Sequence, residues 1–195
     1  MFHIIAAGLV TALLSQASQP RSGSDQTIPV SRGARLAVNL FAGEVVIRSW
    51  DRDAIRVQGD HSSKERIEIR PSESVVTIKT VSSIGVPRSV DMQISVPSWM
   101  RIDVSGTYAD VTIDGPQADI SVETVRGDVS VKGGVGFISL QSVEGLVSLE
   151  NANGRVNIRS VNEGVSALNV SGDLVAETVN GDMTLSRIQS GNVDV

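Results

Sequence analysis

Eight glycines punctuate the C-terminal half of this chain, at 127, 136, 145, 154, 164, 172, 181 and 191, with spacings of 9, 9, 9, 10, 8, 9 and 10 residues. A unit that short cannot bury a hydrophobic face alone, so copies of it must stack. Counting forward from each glycine, the second residue is apolar in seven units (Val129, Ile138, Val147, Val156, Leu174, Met183 and Val193), with Ser166 the exception. The fourth is apolar in all eight, from Val131 and Leu140 to Leu185 and Val195. The residue between them is polar in six, Ser130, Ser139, Ser148, Asn157, Thr184 and Asp194, which is the period of a strand with one buried face. A further apolar residue often follows three places later, as in Val143, Ala152, Val161, Val179 and Ile188. That three-residue step breaks the alternation and requires a corner, and the glycine marks the next one.

The expected fold class is all-β: a parallel β-solenoid, β-helix-like or β-roll-like, of short Gly-punctuated strands over residues 106–195. Two units per coil would give about 18 residues per turn and about five coils over 108–195, roughly 24 Å at the sheet spacing of about 4.8 Å. Three units per coil and an antiparallel meander with tight turns are the alternatives.

Residues 31–105 follow a different grammar. Apolar residues alternate in short runs, Leu36/Val38/Leu40, Val45/Ile47, Ile55/Val57, Ile67/Ile69, Val76/Ile78 and Met92/Ile94/Val96, each a half-buried strand. Turn formers between them, such as Ala42-Gly43, Asp51-Arg52-Asp53 and Pro71-Ser72, favour hairpins, so this region reads as a small β layer preceding the solenoid. Ahead of it, residues 18–30 are polar, with Pro20, Gly23 and Pro29, and read as a flexible lead-in. Residues 1–17 hold the apolar run from Ile4 to Leu14 followed by Ser15-Gln16-Ala17, a small-x-small site, and read as a secretory signal cleaved after Ala17. The run is short of the roughly 20 residues that span a bilayer, which makes a retained anchor the weaker reading.

Composition excludes several classes. The absence of Cys rules out disulfide staples, zinc ribbons, iron–sulfur sites, thiol catalysis and a lipidated N-terminal Cys. A net charge of −5 and six aromatics (Phe2, Phe41, Trp50, Trp99, Tyr108 and Phe137) leave no basic face or stacking platform for nucleic acid.

The segment Gly43-Glu44-Val45-Val46-Ile47-Arg48-Ser49-Trp50-Asp51-Arg52-Asp53, the step Val96-Pro97, and units such as Thr124-Val125-Arg126-Gly127-Asp128-Val129 and Thr178-Val179-Asn180-Gly181-Asp182-Met183 together resemble the bacterial DUF4097 putative-adhesin family, also called toastrack domains. The resemblance covers residues 34–195. It implies a secreted or envelope-facing β-solenoid, associated with surface attachment or membrane-stress sensing, and it implies no catalytic residue. The chain stops at Asn192-Val193-Asp194-Val195 in mid-unit with no capping element, so the expectation is either a longer natural protein or a C-terminal edge that acts as a docking surface.

Candidate chemistry is sparse. A calcium-binding β-roll places an Asp in every turn, but at the best match, Gly133-Gly134-Val135-Gly136-Phe137-Ile138, the Asp position is Ile138. Stacking alternate units gives columns Asp128/Leu146/Val165/Asp182 and Phe137/Arg155/Asp173/Asn192, with no carboxylate ladder, so Gly-Asp reads as a turn dipeptide. His61, the only imidazole outside the signal, lies in the polar segment Asp60-His61-Ser62-Ser63-Lys64 and reads as surface loop. Asn169-Val170-Ser171 is formally a glycosylation sequon but coincides with the repeat phase and reads as a turn. Ser130, Ser139, Ser148, Asn157 and Thr184, with Lys132, Gln141, Glu150, Arg159, Asn169 and Glu177 two places on, are expected to form one flat hydroxyl- and amide-rich face, and Arg155 to pair with Asp173. No catalytic, cofactor-binding or metal-ligating residue is assigned, and no cofactor is called for.

The leading functional reading is a non-enzymatic exported envelope protein, periplasmic or on the cell surface, acting as a binding, adhesion or scaffold module. An extracytoplasmic sensory or regulatory domain is the second reading, and a polysaccharide-active enzyme with paired carboxylates the third. The partner implied is an envelope glycan or protein, not nucleic acid. Peripheral membrane contact is left open, and the C-terminal edge offers self-association.

Overall fold

The computed structural model describes residues 22–83, 85, 88–189 and 192–195, and the signal segment lies outside the described residues. The described residues form fourteen strands joined in one hydrogen-bonded sheet and contain no helix. The repeat region runs β7 (Arg101–Asp114), β8 (Ile120–Arg126), β9 (Val129–Lys132), β10 (Val135–Glu144), β11 (Val147–Ser160), β12 (Val165–Thr178), β13 (Met183–Ser186) and β14 (Val193–Asp194). All pairings among these strands are parallel.

Register settles how many units make a coil. Ile102 pairs with Ile120, Ile120 with Ile138, and Val147 with Val165, each a step of 18 residues. Two nine-residue units therefore make one turn, and both the three-unit coil and the meander are set aside. Successive units alternate between two faces. One face buries the column Ile102, Ile120, Ile138, Val156 and Leu174, and the other buries Val111, Val129, Val147 and Val165. All belong to one continuous hydrophobic cluster, and each such side chain contributes about 1.5–3 kcal/mol by leaving water.

The glycines occupy places where the next coil comes too close for a side chain. Gly154 has φ 140°, and a Cβ on it would lie 2.0 Å from the carbonyl oxygen of Gly136 one coil below. The one unit that broke the count has a simple cause. Position 163, which the register aligns with Gly145, holds Glu163, and the glycine is displaced to 164. Counting from Gly164 misses by one, and the inward residues of this unit are Val165 and Ala167, with Ser166 pointing out and Leu168 only half-buried.

The parallel stack also includes the N-terminal half. There the strands are β1 (Ser22–Pro29), β2 (Arg35–Trp50), β3 (Ala54–His61), β4 (Glu65–Pro71), β5 (Val75–Ser82) and β6 (Asp91–Pro97). β2 is a whole coil: Leu36 lies in register with Ile102 and Val45 with Val111 of β7. On its other side Leu36 pairs with Val76 of β5, and Val45 with Met92 of β6. The stack order is thus β5/β6, then β2, then β7, although the chain makes β2 first. Ala42-Gly43, read from sequence as a turn between hairpin strands, is instead the corner of this coil, with Gly43 at φ 127°. Among the described residues only β4 and β5 form a hairpin of consecutive strands.

Antiparallel strands close the N-terminal end. β3 pairs with β6, β1 pairs with β3, and β4 pairs with β5. These outer strands are rich in charged and polar residues, which blunts an edge that would otherwise recruit another chain. Residues 22–29, expected as flexible lead-in, are ordered here because Asp25 bonds the Arg56 guanidinium through both oxygens, at 2.9 and 2.6 Å, while Ile28 packs against the core.

Candidate binding surfaces

One Gly-Asp dipeptide, Gly127-Asp128, has a defined task, which it shares with Asp110 and Asp119. At the corners, Asp110 Oδ1 accepts the amide of Asp128 at 2.9 Å, and Asp128 Oδ1 accepts that of Leu146 at 2.8 Å. On the opposite corner Asp119 Oδ1 accepts the amide of Phe137 at 2.9 Å, again 18 residues on. Each carboxylate staples its coil to the next by a charge-assisted hydrogen bond to a backbone N–H. The column runs Asp128, Leu146, Gly164, Asp182, with Gly164 where the sequence count placed Val165, because the glycine is displaced in that unit. Among the described residues no three His, Asp or Glu converge on a metal position.

A second ladder was missed from sequence. Thr124, Ser142, Ser160 and Thr178 turn inward at one corner, and their hydroxyls donate to the carbonyls of Ala109, Gly127, Gly145 and Glu163 at 3.3, 3.0, 3.0 and 2.8 Å. The first three are buried. The signal was a hydroxyl residue recurring every 18 positions, twice the glycine period.

This corner explains where the extra apolar residues go. Ala152 and Ile188 belong to the opposite corner and face the core, but Val143 and Val179 follow an inward hydroxyl and stand in solvent. The opposite corner is turned by Asn151 and Asn169, both at φ 55°, with Asn169 Nδ2 donating to Asn151 Oδ1 at 2.7 Å. The formal sequon is therefore a left-handed corner residue, a conformation asparagine tolerates better than most side chains.

The single polar face expected from sequence is divided in two, because alternate units lie on opposite faces. Thr112, Ser130, Ser148, Ser166 and Thr184 form one outward column, flanked by Lys132 and Glu150. Ser121, Ser139 and Asn157 form the other, flanked by Gln141, Arg159 and Glu177. Arg155 and Asp173 are in register on adjacent coils, while the ion pairs between coils of the repeat region are Arg101–Asp119 at 2.8 Å, Arg126–Glu144, and Arg159–Glu177 at 3.7 Å. At such exposure each is worth at most about 1 kcal/mol.

His61 sits at the end of β3. Its Nε2 lies 3.0 Å from Ser24 Oγ and its Nδ1 3.0 Å from the Ser62 carbonyl, so the ring ties β1 to the capping strands. The neighbouring Ser62 hydroxyl donates to Glu65, a buried carboxylate that no sequence motif singles out. A shallow concavity of about 440 Å³ lies near this end, lined by Asp25, Glu44, Asp60, Asp91 and Gln93 among others. Hydrogen bonding to Arg56 holds the Asp25 carboxyl below the usual carboxylate range, the direction opposite to that of a general acid.

No family model and no curated protein matches the sequence. Among solved structures, the chain is similar to a putative cell adhesion protein from Clostridium sporogenes, at 10% identity and TM-score 0.46 over 90% of this chain and 99% of that one. It is also similar to a putative adhesin from Bacteroides fragilis, at 12% identity and TM-score 0.45 over 89% of this chain and 97% of that one. A putative adhesin from Parabacteroides merdae aligns at 11% identity and TM-score 0.33, over 89% and 96% of the two chains.

Proposed function

We propose that this chain is a non-enzymatic, exported envelope protein whose solenoid serves as a binding, adhesion or scaffold module of the toastrack kind. The observation that carries this reading is the pair of outward polar columns, above all Thr112, Ser130, Ser148, Ser166 and Thr184, repeated once per coil. At about 4.8 Å per step they offer hydroxyl groups at regular intervals along a flat face. An extended glycan or protein strand can meet such a column through many weak hydrogen bonds, and affinity then grows with the number of coils engaged. The apolar N-terminal run ending in Ser15-Gln16-Ala17 supports export.

The test is co-sedimentation of purified residues 18–195 with isolated envelope fractions: cell-wall glycan, outer-membrane vesicles and lipid vesicles, each at two salt concentrations. Salt-resistant binding to one fraction is the expected result and names the partner class. Absence of binding to every fraction contradicts the reading.

A further inference from the structure

One corner of the solenoid carries an apolar ridge that the core does not use. Val125, Val143 and Val179 are 51%, 40% and 67% exposed, and the half-buried Val161 completes a column with one valine per coil. Tyr108, 47% exposed, extends it towards the N-terminal end with Phe41 edge-on at 5.5 Å, and Leu146, 44% exposed, widens it. Corner geometry does not demand apolar residues here. The preceding hydroxyl in each coil turns inward and closes the corner, and the same column holds Thr107 one coil below Val125. Threonine is as well suited to a strand as valine, so strand propensity does not account for three valines in solvent and a fourth half-buried.

The charge around the ridge is one-sided. The outward columns on either side carry Glu123 and Glu177, Glu144, and Asp110, Asp128 and Asp182, against Arg126 and Arg159. Both guanidiniums are already engaged, Arg126 by Glu144 and the Tyr108 ring, Arg159 by Glu177. The opposite corner mixes Lys132, Arg155 and Arg187 with Asp114, Glu150 and Asp173.

We infer that the ridge is an interaction surface for a cationic, amphipathic protein segment, which lays apolar side chains along the valine column and Lys or Arg side chains over the flanking carboxylates. This rests on the binding-module reading above and names a surface for it. The column from Thr107 to Val179 spans four coil steps, roughly 19 Å, the length of an extended strand of about six residues. The acidic surround disfavours anionic lipid headgroups and disfavours a second copy, which would bring like charges together.

The experiment uses residues 18–195 and, as probe, a synthetic peptide of about ten alternating Val and Lys residues, with an alternating Val and Glu peptide as control. Binding is read by fluorescence anisotropy at low and high salt. Two variants are compared: Val125→Thr/Val143→Thr/Val179→Thr, which keeps strand propensity, and Glu123→Gln/Asp182→Asn, which removes charge only. The expected result is binding of the cationic peptide alone, weakened about tenfold in the threonine variant, and weakened several-fold in the charge variant and by salt. Equal binding by the threonine variant, or no binding of the cationic peptide, overturns the inference. So does ridge-dependent binding to lipid vesicles, or ridge-dependent self-association, without peptide binding. Wild-type protein that sediments with an envelope fraction but ignores the peptide refutes the ridge and leaves the binding-module reading standing. Protein that binds the peptide but no envelope fraction does the reverse.

Discussion

Ser160→Ala removes one oxygen from the inward hydroxyl ladder and nothing else. Ser160 is fully buried, donates to the Gly145 carbonyl at 3.0 Å and accepts the Glu163 amide at 3.3 Å. Gly145 is buried as well, so its carbonyl has no water to turn to. A buried backbone group deprived of its partner costs about 1–3 kcal/mol, and about 2 kcal/mol is expected here. For a chain of this size that lowers Tm by about 4–8 °C. Thr178→Val is the matched comparison. Thr178 makes the same bonds, to the Glu163 carbonyl at 2.8 Å and from the Gly181 amide at 3.2 Å, but at a position open to solvent. Water can replace the hydroxyl there, so the loss should stay near 0.5 kcal/mol or less, about 1–2 °C. Thermal melts followed by circular dichroism, with denaturant titrations beside them, measure both. If Ser160→Ala loses no more stability than Thr178→Val, the reasoning that burial makes this ladder structural is refuted.

Gly154→Ala is expected to cost about 3 kcal/mol or more, since its Cβ would press on the Gly136 carbonyl and its φ is forbidden to alanine; a melt within a couple of degrees of wild type contradicts this. At the opposite corner, Asn169→Val should destabilise by about 1–2 kcal/mol while Asn169→Gly loses much less, because glycine takes φ 55° freely; comparing the two melts checks the left-handed corner. Asp25 should titrate below the ordinary carboxylate pKa of about 3.9 in the folded protein and return to it in Arg56→Gln, as read by NMR. Because the folded value is the lower one, the contribution of this pair to holding β1 is present above the unfolded pKa and is lost as pH falls through the folded value.

The coil was legible because its constraint is local. A carbonyl from the coil below forbids a Cβ, so glycine recurs at a fixed interval whatever the neighbouring residues are, and Gly145, Gly154 and Gly172 announce it. Where a side chain replaced the glycine, at Glu163, the count slipped by one and assigned Val165 to the Asp128 column. The hydroxyl ladder was written at 18 residues, but Ser142 and Ser160 are indistinguishable in sequence from the outward serines at 130 and 148, and only register separates them. The N-terminal coils left no period to read. β5 and β6 stack beneath β2 after it in the chain, so residues 18 apart do not meet and partners such as Val45 and Met92 are separated by an insertion. The single polar face became two because alternation of units between faces follows from the coil, which the nine-residue count alone does not fix.

The most direct measurement removes one whole coil. Deleting residues 139–156 takes out 18 positions and rejoins equivalent points of the stack, whereas deleting nine residues would set the hydroxyl corner against the asparagine corner. The expected result is a folded β protein after the 18-residue deletion, with envelope binding weakened several-fold because the polar columns are one step shorter. The nine-residue deletion should melt far lower. A nine-residue deletion as stable as the 18-residue one contradicts the two-unit coil, and binding unchanged in a folded 18-residue deletion contradicts the repeated columns as the binding surface.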